Sequence, residues 1–138
     1  MSTNYAYKNW KDEDVYDFYL EFNRIESYNE YCKNWLENYF NTPVGMALSK
    51  TDWSINDIVD LQDYNRVKYN INALLNALKL GQNLIFNNQP NQIFNSQKAN
   101  EIEAKLKEYL NTLGNMQFKY QISGLTTSGN NLKLGGVL

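Results

Sequence analysis

The chain contains no histidine. With it go the commonest general base, the commonest zinc ligand and every Ser-His or Cys-His nucleophile pair. A single cysteine, Cys32, rules out an intrachain disulfide and any CxxC centre. It falls at an apolar helical position, where a free thiol acts as a small hydrophobe. Basic excess is missing too. Thirteen Lys plus Arg stand against 15 Asp plus Glu, a formal charge of −2, so no chain-wide positive field draws in a phosphate backbone and nucleic acid is not expected as a partner. No N-terminal apolar stretch reads as a signal peptide. The segments 69 to 78 and 80 to 97 are studded with Asn and Gln, so no membrane insertion is expected, and the protein should be made in a cytoplasm and stay soluble.

The Gly-rich pieces GLTTSG (124 to 129) and LGG (134 to 136) lack the Lys of a P-loop and the strand-to-helix setting of a dinucleotide fingerprint, and read as turns. The cluster Asp12-Glu13-Asp14 reads as the acidic first turn of a helix, complementing its dipole, rather than as a carboxylate pair. No catalytic, cofactor-binding or metal-binding residue is expected, and the chain does not read as an enzyme.

What is there is a repeat. NWKDEDVYDFYLEFNRIESYN, residues 9 to 29, returns as DWSINDIVDLQDYNRVKYN, residues 52 to 70. With one single-residue gap, Trp10, Asp14, Val15 and Asp17 match Trp53, Asp57, Ile58 and Asp60, and Glu21-Phe22-Asn23-Arg24-Ile25 matches Asp63-Tyr64-Asn65-Arg66-Val67.

The period around the repeat is helical. The 3-4 spacing predicts a first helix over 13 to 39, with Val15, Phe22, Asn29 and Leu36 at heptad position a and Phe18, Ile25, Cys32 and Tyr39 at d. Asn29 is the polar exception, a residue that fixes register at some cost in stability. A second helix is expected over 56 to 80, capped by Ser54 or Asn56 and stopped by Gly81, with the stripe Tyr64, Val67, Ile71, Leu74 and Leu78. A third is expected over 97 to 113, with Ser96 as cap, Gly114 as stop and the stripe Ala99, Ile102, Leu106, Tyr109 and Leu113. Residues 82 to 95 form an Asn/Gln-rich connector around Pro90, ordered only where anchors such as Ile93-Phe94 dock.

Beyond Gly114 the period changes. Met116, Phe118, Tyr120 and Ile122 alternate with Gln117, Lys119 and Gln121, and SGNN at 128 to 131 leads to Leu132-Lys133-Leu134, the pattern of a β-hairpin. The expected architecture is mainly α. A three-helix bundle or coiled-coil-like domain (1 to 114) carries a C-terminal β-hairpin arm (115 to 138) that either leans on the helices or is completed by strands of another chain, the second being favoured.

Trp10-Lys11-Asp12, Asp14 and Asn23-Arg24-Ile25-Glu26, echoed by Trp53, Asp57, Asn65-Arg66 and Asn70, resemble a segment common in tail fibre and baseplate proteins of phages infecting Gram-positive bacteria. The resemblance covers some twenty residues per copy. Glu13 stands where that segment has Gly, both copies lack its Thr-Ala step, and Lys68 replaces the Glu in the second. It implies a virion structural protein, made in the host bacterial cytoplasm and acting as a tail, baseplate or fibre-attachment adaptor. The implied partners are other virion proteins and further copies of itself, as a homo-oligomer.

The residues point to the same class, because Trp, Tyr and Arg dominate protein interfaces. The expected interface residues are Trp10, Phe22, Asn23, Arg24, Ile25, Asn29, Trp53, Tyr64, Asn65, Arg66, Phe118, Tyr120 and Ile122. Each Trp can seat in a pocket just ahead of a helix, and each Arg can form an inter-helix fork. The alternatives are a host cell-wall receptor-binding module that uses exposed Tyr and Trp, or a neck or collar component.

Overall fold

The computed structural model describes residues 7–80 and 94–128, the side chains of 123–128 excepted. The regular elements of the described residues are three helices, α1 (Phe18–Tyr39), α2 (Leu61–Ala77) and α3 (Ser96–Ser128). Among the described residues there is no strand. Tyr7–Tyr109 forms one compact unit, and the part of α3 from Leu110 onward belongs to a second.

In the first unit the three stripes share one register. Counted from Asn23, Asn65 and Asn100, the equivalent sets are Phe22, Tyr64 and Ala99; Ile25, Val67 and Ile102; Asn29, Ile71 and Leu106; and Cys32, Leu74 and Tyr109. All are buried except the half-buried Tyr64. Each large aliphatic so covered contributes about 1.5 to 3 kcal/mol.

Pairings between helices rise together along the chain. Phe22 meets Tyr64 edge to face at 5.9 Å and Glu26 meets Arg66 at 2.8 Å. Arg24 meets Glu103, and Asn29 accepts the Tyr109 hydroxyl. The helices are therefore parallel. Asn29 is fully buried on the stripe, and its Nδ2 has no hydrogen-bond partner among the described residues.

Parallel packing requires the α1–α2 linker to travel back along the bundle, and side chains of the helices guide it. Asn41 at φ 51° turns the chain out of α1. Val44 N–H then donates to Glu37 Oε2 at 3.1 Å. The Asn70 amide clamps Ala47, accepting its N–H at 2.8 Å and donating to its carbonyl at 3.1 Å. An extended backbone with no sheet neighbour is thus satisfied by asparagine and glutamate side chains. α2 closes with Lys79 at φ 59° in the left-handed region. Leu80 N–H donates to Leu75 O at 2.9 Å and Lys79 N–H to Asn76 O at 3.0 Å, a Schellman closure.

The structure corrects several sequence expectations. α1 begins at Phe18 with Asp17 as N-cap residue, and α2 at Leu61 with Asp60, so the residues from each Trp to its N-cap are extended or turned rather than helical. Val15 consequently lies off the stripe, 78% exposed. The left-handed residue closing α2 is Lys79, so the helix stops short of Gly81.

The hairpin is the largest departure. α3 runs through Gly114 to Ser128, and the stretch from 116 to 122, expected as the first strand, is helix. Glycine inside a helix costs only about 1 kcal/mol against alanine. Extending a formed helix adds one bond per residue, whereas a two-stranded arm is marginal in water. The 3-4 rhythm continues through buried Leu110, Leu113 and Gln117, while Phe118 is 61% and Tyr120 44% exposed. The second expected strand, from 132, lies outside the described residues.

Burial pushes the Cys32 thiol up to about 12 from an ordinary 9.0. A raised value means that the stabilisation is complete below pH 9 and is lost as pH rises toward 12. Native protein at pH 8 should not react with a disulfide reagent such as DTNB, and denatured protein should release one equivalent of thiolate per chain. Rapid labelling of the native protein would place Cys32 outside the core.

Candidate functional site

The two copies of the repeat do the same thing. Each consists of a leader segment that carries the Trp and a helix that follows it, and each leader docks on a helix other than its own. The Trp53 leader lies on α1. Asn23 Oδ1 accepts Trp53 N–H at 2.8 Å and Asn23 Nδ2 donates to Trp53 O at 2.9 Å. One turn on, Glu26 Oε2 accepts the Trp53 indole N–H at 2.8 Å and Glu26 Oε1 accepts Lys50 N–H at 2.9 Å. The same carboxylate takes the Arg66 fork of α2, Nε on Oε1 at 2.8 Å and Nη2 on Oε2 at 2.8 Å.

The Trp10 leader lies on α3 with the same backbone clamp and the same indole bond, while Arg24 splits its donors, Nη2 to Glu103 and Nε to Glu21. Asn100 Oδ1 accepts Trp10 N–H at 2.7 Å and Asn100 Nδ2 donates to Trp10 O at 2.9 Å. Glu103 accepts the Trp10 indole N–H at 3.4 Å, Lys8 N–H at 3.0 Å and Arg24 Nη2. Lys8 and Lys50 hold their ammonium groups 5.2 Å and 5.0 Å from the Trp10 and Trp53 ring centroids. Asp14 and Asp57 close matching turns, each accepting a backbone N–H at 2.8 Å, from Lys11 and Ser54.

The carboxylates at the centre of these units are buried. Glu26 is 0% and Glu103 4% exposed. Hydrogen bonding to Glu26 raises the Arg66 pKa above the ordinary guanidinium value. Burial works against the charge on Arg24, yet the bonds to Glu103 and Glu21 outweigh it and its pKa is also raised. Ion pairs so held bind the helices together because removing either member strands a charge in the interior.

Of the expected interface residues, the structure brings Trp10, Asn23, Arg24, Trp53 and Arg66 into these two units. Phe22, Ile25 and Asn29 lie in the core of the bundle, and Tyr64 lies half-buried beside Phe22. Asn65, the equivalent of Asn23 and Asn100, is exposed and clamps no backbone among the described residues. Phe118, Tyr120 and Ile122 belong to the second unit, on the part of α3 beyond Tyr109.

Sequence reasoning missed the third helix's part. Asn100-Glu101-Ile102-Glu103 repeats Asn23-Arg24-Ile25-Glu26, and the shared Asn-x-Ile-Glu was the signal that could have found it. At this register the charges are reversed for the remaining pair of helices, since Lys68 stands where Glu26 and Glu103 stand and Glu101 where Arg24 and Arg66 stand.

Among the described residues no cluster is placed to hold a metal ion, and no helix is long and apolar enough to cross a membrane. The chain matches no family model, no curated protein and no solved structure. The geometry of the site is that of an interface within the chain, leader against helix.

Two outcomes are expected. Glu26→Ala should cost about 3 to 5 kcal/mol in urea unfolding, as the loss of one partner of a buried pair. Trp53→Phe should cost about 1.5 to 3 kcal/mol alone, for a bond to a charged group, and much less in the Glu26→Ala background. Additive losses would show that the indole does not act through the carboxylate. Separately, Lys68→Glu should destabilise and Lys68→Glu with Glu101→Arg should recover, with a coupling of about 0.5 to 1 kcal/mol in a double-mutant cycle. Zero coupling would mean that the reversed charges do not meet.

Proposed function

We propose that the chain is a phage virion structural protein, a tail, baseplate or fibre-attachment subunit that acts as an assembly adaptor. The observation that carries this reading is the repeated docking unit. The leader of α2 lies on α1 and the leader of α1 lies on α3 by matching bonds. A contact that runs from one helix to the next, never back to itself, is heterologous, and two such contacts are described here, α2's leader on α1 and α1's leader on α3. That is how three separate chains with one motif each would be joined. Here the joins lie within one chain, so a single subunit offers a body of three parallel helices. Such a body suits a junction between a threefold fibre and the rest of a particle.

The resemblance of both copies to tail fibre and baseplate segments supports the same class. The partners in this reading are other virion proteins, and self-association uses surfaces outside the bundle axis. Neck or collar placement is served by the same geometry.

One feature favours the receptor-binding alternative. An open groove of about 550 Å³ is lined by Pro43, Gly45, Tyr69, Asn72, Ala73, Asn76 and Ala77. Tyr69 is 57% exposed there, and a ring beside amide side chains suits a sugar face. The tryptophans do not serve it as an exposed pair, since Trp53 is 5% exposed.

The test is an antibody against the protein applied to gradient-purified virions of the phage that encodes it. The chain is expected in the particle at fixed copy number, and its absence would overturn the adaptor reading. Saturable binding of host cell-wall polysaccharide that is lost in Tyr69→Ala would install the alternative.

A further inference from the structure

The repeat contains one feature that the docking units leave unused. Asp14-Val15-Tyr16-Asp17 in the first copy corresponds to Asp57-Ile58-Val59-Asp60 in the second. Both stretches lie in the leaders, just ahead of the helices. The aspartates have internal work: Asp14 and Asp57 close turns at 2.8 Å, and Asp60 accepts Asp63 N–H at 3.1 Å to cap α2. Tyr16 turns inward, 4.6 Å from the Trp10 ring and 4.8 Å from that of Phe94. Val15 and Ile58 turn outward, 78% and 86% exposed. A lone exposed aliphatic residue is ordinary on a protein surface. A β-branched aliphatic residue facing water at the same place in both copies, between two exposed aspartates each time, is not explained by anything inside the fold.

We infer that Val15 and Ile58 are a pair of equivalent docking knobs for an oligomeric protein whose neighbouring subunits each present an apolar socket rimmed by Lys or Arg. The two knobs are related as the two leaders are, one helix around the bundle, so a partner with one socket per subunit meets both with the same surface. Charge selects the occupant. Asp14, Asp17, Asp57 and Asp60 are all exposed, so a second copy of this acidic end is repelled and a basic rim is attracted. Two weak contacts on one compact unit reinforce each other through effective concentration. The inference rests on the adaptor reading only for supposing the partner to be a virion protein.

The experiment places a photo-crosslinking phenylalanine derivative at position 15 or 58 of the full chain, produced during phage infection, and maps the products by mass spectrometry. Leu48, 91% exposed, is the control position. Both leader positions are expected to crosslink to the same Lys/Arg-bearing peptide of one oligomeric protein, and position 48 is not. Val15→Ser with Ile58→Ser should reduce recovery of that complex at least tenfold with melting temperature unchanged, and 0.5 M salt should weaken the parent complex. Crosslinks to different proteins, no crosslinks, or full recovery with the double variant would overturn the knobs. A partner of host origin would keep the knobs and remove the virion reading. A chain present in virions without these crosslinks would do the reverse.

Discussion

A carboxylate taken out of water is costly unless its lone pairs are filled, and Glu26 imposes that demand at full burial. Four donors meet it: the backbone of Lys50, the indole of Trp53, and Nε and Nη2 of Arg66. These donors come from a linker and from another helix, so satisfying one side chain fixes where the linker runs, how far α2 is shifted against α1 and which way it points. Glu103 places the same demand on Lys8, Trp10 and Arg24. The apolar stripes supply most of the burial, but a stripe alone is indifferent to a shift of one heptad or a reversal of direction. The carboxylates are not.

From that constraint the rest of the unit follows. The leaders cannot be helical, because Asn23 and Asn100 need both the N–H and the carbonyl of a Trp free of helix bonds. Each helix therefore starts at the aspartate behind the leader. The linker must return the whole length of α1, and Asn70 and Glu37 hold it on the way.

Much of this was legible in the residues. The shared 3-4 stripes placed Phe22, Ile25, Cys32, Val67, Ile71, Ile102 and Leu106 in the core, because helical burial is periodic and survives single exceptions such as Asn29. Trp10, Trp53, Arg24 and Arg66 read as residues of an interface with another chain, whereas the contacts they make here are within the chain, leader to helix and helix to helix. The helix starts did not read correctly, since acidic residues ahead of a helix look the same whether they begin it or close a turn before it. The half-site on α3 escaped because it lacks a Trp, leaving only Asn100 and Glu103 to mark it. The alternation from Met116 to Ile122 misled because seven residues of period two cannot outweigh the continuation of an established helix.

The central claim is that buried carboxylates hold α1 and α2 parallel and in register. Spin labels at Leu20 and Gln62, equivalent exposed positions on the two helices, and at Leu20 and Asn76, fourteen residues further along α2, would test it by pulsed EPR in a Cys32→Ala background. The two α2 sites are separated by roughly 20 Å along the axis. The account predicts the shorter distance for Leu20 with Gln62 and the longer for Leu20 with Asn76. The reverse order would mean antiparallel helices and would contradict it.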